Sequence, residues 1–129
     1  MLKSIILALS LIHTPYTRMN CWLFVDHATQ MHCGRGLLDS TCNGQLEIVH
    51  RNLRLLDLVT IERELKQGDI AQFHTGHVAM YLGQGEWIDS TVKRNGVAIY
   101  QMQDELAANQ SGWYAGPIRV LRKKSTKVL

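Results

Sequence analysis

The sequence predicts an α+β fold, because helical periodicity fills its first half and short, turn-linked strands fill its second. Three observations carry this. Residues 2–13 are apolar nearly all round. Cys21, Phe24, Val25, Ala28 and Met31 then recur at helical spacing behind Asn20, a good N-cap residue. From Gly68 onward, short apolar and aromatic runs alternate with turns rich in glycine, asparagine and aspartate. At 129 residues and 46% hydrophobic content, the chain fits one domain able to bury its own core. We take that domain as residues 1–122, with 123–129 as a basic C-terminal tail.

The first helix is expected over residues 2–13 and to end before Pro15, since proline disfavours helix at the residue ahead of it. One lysine followed by a short apolar run also has the outline of a signal peptide. No small-x-small cleavage site follows it, so a core helix is the expectation. The run is too short to span a bilayer. The second helix opens at Cys21 and is expected to stop at Gly34 or Gly36, with residues 37–44 as a loop. Leu46, Val49, Leu53 and Leu56 suggest a third helix.

Beyond the turn at Gly68-Asp69, strands are expected at residues 70–73, 77–82, 86–90 and 97–100. The turns between them fall at Gly83-Gln84-Gly85 and at Lys93-Arg94-Asn95-Gly96. A short helical piece near 104–108 leads to a last strand near 118–121. The net charge of +3 is mild and is spread thinly outside the terminal basic cluster. That cluster is too short to imply a nucleic-acid partner, although it suits an anionic surface such as a cell wall.

The chemistry rests on three cysteines, Cys21, Cys33 and Cys42, which cannot all pair within one chain. Cys33 and Cys42 can form a disulfide in an oxidising compartment, which leaves Cys21 as the odd thiol. Zinc bound through His32, Cys33 and Cys42 is the alternative, at a spacing that matches no standard zinc pattern. Cys21 at the first position of a helix suits a nucleophile, because the helix dipole and free N–H groups favour a thiolate there. The same N–H groups can stabilise an oxyanion.

His77 opens a strand, where an imidazole projects from the end of a sheet. If the 83–85 turn sets a three-residue loop, Ala79 lies opposite Asp89. His77 and Asp89 then become diagonal neighbours on one face. That arrangement makes Cys21 the nucleophile, His77 the base and Asp89 its orienter.

At this point the chain resembles the NlpC/P60 family of papain-like cysteine peptidases, which cleave peptide stems of bacterial peptidoglycan. The stretch Leu9-Ser10-Leu11-Ile12-His13-Thr14-Pro15-Tyr16 is similar to the family's first helix and its Thr-Pro-Tyr ending. Asn20-Cys21-Trp22-Leu23-Phe24-Val25 falls on its nucleophile motif, and residues 65–73 on its Pro-Gly-Asp strand. His77-Val78-Ala79-Met80-Tyr81-Leu82-Gly83 matches its histidine signature. The step from His77 to Asp89 is the family's step from base to third polar residue. Asn20, Trp22 and Leu23 stand where the family usually has Asp, Ser and Gly.

The resemblance implies a papain-like core with N-terminal helices on a small antiparallel sheet. It implies catalysis by Cys21, His77 and Asp89 and support of the oxyanion by Tyr16. Trp87 and His74 are expected to line the substrate groove. It further implies a peptidoglycan stem-peptide substrate; the mechanism needs no metal or cofactor, and a monomer without an integral membrane segment is expected. Three settings fit: a phage virion, an injected antibacterial effector countered by an immunity protein, and a small secreted hydrolase. The Cys-Trp pair is shared with some phage-type members. The rival readings are a CHAP-type amidase, an acyltransferase or deamidase on lipid or protein, and an inactive wall-binding or assembly module.

Overall fold

In the computed structural model, residues 2–33, 41–42, 44–108 and 112–124 are described. Among them the helices are α1 (Leu2–Ser10), α2 (Cys21–Thr29), α3 (Leu55–Thr60) and α4 (Met102–Ala107), with a 3-10 turn at Glu62–Glu64. The strands are β1 (Leu46–Leu53), β2 (Ile70–Gln72), β3 (Val78–Gly83), β4 (Glu86–Thr91), β5 (Gly96–Gln101) and β6 (Ile118–Lys123). They form one antiparallel sheet in the order β1-β6-β2-β3-β4-β5. The α+β expectation is met.

Successive residues of a strand point to opposite faces, and this sheet is covered on both. On one face, Ile70, Val78, Met80, Ile88 and Leu121 pack with Ile5 and Ala8 of α1 and with Phe24, Val25 and Ala28 of α2. On the other, Ala71, Ala79, Tyr81, Trp87, Tyr100 and Val120 pack with Leu58 of α3 and Met102 of α4. Double coverage explains why Val78, Ala79, Met80 and Tyr81 are all buried rather than alternating with exposed residues.

Helix α1 is shorter than expected and buries one face. Ile5 and Ala8 are inside, while Ile6 and Leu9 are exposed. It stops because the next residues pair with β5. His13 N–H donates to Val97 O at 2.9 Å, and Val97 N–H donates to Thr14 O at 3.0 Å. Gly96 makes this approach possible, because a Cβ there would lie 2.0 Å from Thr14 O. Helix α2 ends at Thr29, where Gln30 adopts the left-handed conformation (φ 58°, ψ 29°). Gly34, Gly36 and most of the expected 37–44 loop lie outside the described residues.

The expected third helix over Leu46, Val49, Leu53 and Leu56 is instead strand β1 followed by the short helix α3. The apolar spacing is ambiguous, and an available partner strand decides it. β1 pairs with β6 from Leu46↔Lys123 to Leu53↔Ile118, with irregularities after Ile48 and after His50, where Asn52 takes φ 59°. The same pairing corrects the tail boundary. Lys123 belongs to β6, Lys124 N–H donates to Gln45 O, and Arg122 pairs bidentately with buried Asp69 at 2.7 and 2.8 Å. Asp69 is thus more than the turn residue its position suggested. Residues 125–129 lie outside the described part of the chain.

Cys33 and Cys42 are joined in a disulfide, with their Cα atoms 5.6 Å apart, and Cys21 is a free thiol. The zinc alternative for this pair is therefore set aside. The crosslink closes a loop of nine residues' separation. Replacing both cysteines with serine is expected to lower unfolding free energy by about 2–3 kcal/mol in denaturant titrations. The replacement should leave one titratable thiol in the unfolded chain, and an unchanged midpoint would refute the stabilising role.

Candidate active site

Cys21 occupies the first turn of α2 because Asn20 caps the helix. Asn20 Oδ1 accepts from Leu23 N–H at 3.0 Å, and Asn20 O accepts from Phe24 N–H at 2.9 Å. The loop ahead of it is held from the sheet. The buried hydroxyl of Ser90 on β4 donates to Met19 O at 2.5 Å. Cys21 is 5% exposed.

His77 sits one residue before β3, on the loop that turns back from β2. That loop is tied to the segment around Trp113. Thr75 Oγ1 donates to Trp113 O at 2.8 Å, and His74 N–H donates to Ala115 O at 3.1 Å. The imidazole meets Trp113 and Tyr114 edge-on, with centroids at 5.1 and 5.3 Å, and Phe73 at 5.7 Å. These rings leave it little rotational freedom.

The β3–β4 hairpin supplies the register that the sequence required, by a different route. Its turn is the two-residue Gln84-Gly85, both with positive φ (53° and 79°). A bulge between Tyr81 and Gly83 restores the missing residue of offset, so Met80 pairs with Ile88 and Tyr81 with Trp87. Carried one residue further, Ala79 lies opposite Asp89. His77 Nε2 and Asp89 Oδ2 are 2.7 Å apart, and both side chains are buried.

Nε2 being taken by Asp89, Nδ1 is the ring atom left for Cys21. Burial acts to lower the imidazole pKa. It is outweighed by the charge and hydrogen bond of Asp89 and by hydrogen bonding and charge from Cys21, which together raise it to about 9. The pKa of the Tyr16 hydroxyl is raised by burial and by the charge of Cys21. Tyr16, Cys21, Trp22, Gly76, His77 and Trp113 line one open cleft of about 440 Å³.

Of the residues singled out from sequence, Cys21, His77, Asp89 and Tyr16 come together. Trp87 does not join them. It is fully buried against Tyr81, and its Nε1–H donates to Glu62 Oε2 at 2.6 Å, so it belongs to the core and not to the groove. Glu62 is this buried donor's acceptor, and burial raises its carboxyl pKa. Trp113 takes the groove position instead. His74 lines an adjoining cavity. Leu23, where the family usually has glycine, is 40% exposed and is not among the residues that line the cleft.

The larger omission lies behind Asp89. Its Oδ2 also accepts from Tyr100 at 2.7 Å and from Tyr114 at 3.0 Å. Arg94 donates to Tyr114 Oη at 2.9 Å, stacks on the Tyr100 ring at 3.9 Å and pairs with Glu105, which is 2% exposed. Lys93 pairs with the same glutamate at 3.1 Å. The β4–β5 register makes Tyr100 diagonal to Asp89, across from Trp87, so that one partner was within reach of a hairpin argument. Tyr114 and Glu105 carry no such signal in the sequence.

The model of the NlpC/P60 family matches residues 10–113. The chain belongs to the NlpC/P60 family. The match spans α1's last residue, Tyr16, Cys21, the β2–β5 strands and Trp113. No curated protein matches the chain. NlpC/P60 proteins are generally cysteine peptidases or amidases directed at peptidoglycan. Among the described residues no helix is long and apolar enough to cross a membrane.

Two outcomes follow from the buried charges. His77 has its pKa raised above the 6.5 of a free imidazole. Its charged pair with Asp89 therefore contributes stability fully below about 6.5, and that contribution is lost as pH rises through about 9. NMR titration should place the His77 midpoint near 9 and show it falling toward 6.5 in Asp89→Asn. Arg94→Met leaves Glu105 buried with only Lys93, and is expected to cost about 3 kcal/mol in urea unfolding. Lys93→Met, at a half-exposed site, should cost less than about 1 kcal/mol.

Proposed function

We propose that the protein is a cysteine hydrolase that cleaves amide bonds in peptidoglycan stem peptides, with Cys21 as nucleophile. The carrying observation is that Cys21 and His77 line the same open cleft while His77 Nε2 is paired at 2.7 Å with buried Asp89. The thiolate attacks the amide carbonyl, and the new C–S bond forms as the carbonyl electrons move onto oxygen. The N–H groups opening α2 face that oxyanion, with the Tyr16 hydroxyl nearby. Cationic His77 gives its Nδ1 proton to the departing amine as the C–N bond breaks. Neutral His77 then takes a proton from water, whose oxygen attacks the thioester; the C–S bond breaks and the acid product leaves.

Asp89 holds the ring so that Nδ1 faces the thiol, and its charge supports the cationic form. The raised His77 pKa suits this role, because the group must carry a proton at neutral pH to expel an amine. Within the stem, the bond between D-glutamate and the diamino acid is the proposed site of cutting.

Digestion of purified cell walls, with mass analysis of the released fragments, tests the reading. Wild type should release new peptide termini, Cys21→Ala none, and His77→Ala about a thousandfold fewer per unit time. If wild type and Cys21→Ala give the same fragments, the hydrolase reading is wrong and a binding or assembly role takes its place. New glycan–peptide amide cleavage would instead identify an amidase.

A further inference from the structure

A second cavity, of about 600 Å³, adjoins the cleft and shares Thr75 and Gly76 with it. Its walls include Arg51 and Asn52 of β1, Gln72 of β2, His74 of the β2–β3 loop and Arg119 of β6. No aspartate or glutamate lines it among the described residues. Arg54, Arg94 and Arg122 are each paired with a carboxylate. Arg119 instead donates through Nε to the neutral amide oxygen of Gln72, so its charge is not neutralised by that contact. Arg51 stands exposed at the same cavity.

The backbone is shaped for this. Ile48 and Asn52 fall on one parity of an ideal strand and Arg51 on the other. The irregularity in β1 after His50, with Asn52 in the left-handed region, breaks that alternation and lets both parities line one cavity. The result is two guanidiniums and an imidazole around a polar hollow that no aspartate or glutamate lines among the described residues. A planar carboxylate matches a guanidinium's paired N–H donors.

Position then assigns the side of the substrate. The cavity is built from the residues leading into His77 and includes none from α2, where Cys21 lies. His77 delivers its proton to the departing amine, so the leaving portion lies on the His77 side of the thiol. We infer that the Arg51–Arg119–His74 cavity binds a carboxylate borne by the residue that leaves as the amine, and so selects stem peptides acidic at that residue. This rests on the hydrolase reading of Cys21 and His77.

The test uses two synthetic stem peptides that differ only in a carboxylate or carboxamide on the leaving-side residue. Wild type should favour the carboxylate peptide by about tenfold in kcat/KM. In Arg119→Gln and in Arg51→Gln that ratio should fall toward one. A wild type that does not discriminate, or variants that slow both peptides by the same factor, would overturn the subsite.

Calorimetric binding of the same pair to Cys21→Ala separates the two readings. If wild type cleaves neither peptide, the hydrolase reading has failed. The subsite still stands if Cys21→Ala binds the carboxylate peptide about tenfold tighter and Cys21→Ala/Arg119→Gln does not. Equal binding of both peptides removes it.

Discussion

Asp89 is a carboxylate with no solvent exposure, and much of the structure is arranged around satisfying it. A buried charge without partners is prohibitively costly, so its surroundings must provide donors and opposite charge. One oxygen takes His77, Tyr100 and Tyr114, while the other lies 3.9 Å from Arg94. Arg94 in turn compensates Glu105, itself buried at the start of α4. The network therefore links the loop entering β3, β4, β5, α4 and the segment carrying Trp113 and Tyr114. Each of those elements also carries a wall or a support of the cleft.

The sheet's two covered faces explain how a helix and a strand end can cooperate. α2 packs on one face, while Asp89 and its tyrosines lie on the other. His77 bridges them because it sits at the strand's end, where the sheet no longer separates the faces. Three separate tethers keep this alignment. Ser90 holds the loop before Cys21, Gly96 and Val97 hold the link before Tyr16, and Thr75 holds the loop before His77 to Trp113. The site is thus placed by backbone carbonyls bound across the fold and not by local sequence alone.

Charge divides the same region into two environments. Behind the imidazole, every buried charge is compensated within the chain, which fits a role in holding one protonation state and one ring orientation. Beside it, the cavity of Arg51 and Arg119 carries positive charge with no carboxylate lining it among the described residues. The first arrangement suits a reacting centre and the second suits recognition of an anion.

The sequence by itself determined the class of fold, the helix start at Cys21 and the strand signals at Ile70, His77, Glu86, Val97 and Ile118. Each of these rests on local preference: an N-cap, helical spacing or alternation between turns. It also carried the family motifs that bring Cys21, His77, Asp89 and Tyr16 forward as a group. Tertiary structure decided what depends on partners far along the chain. Residues 46–53 became a strand because β6 offered them hydrogen bonds, and apolar spacing could not distinguish that outcome from a helix. Trp87 went to the core because Glu62 offered its indole an acceptor, leaving the groove to Trp113. The partners of Asp89 were equally beyond reach, since Tyr114 and Glu105 arrive from segments whose docking no local pattern records. What surrounds a buried charge is set by the whole fold, because only the folded chain removes it from water.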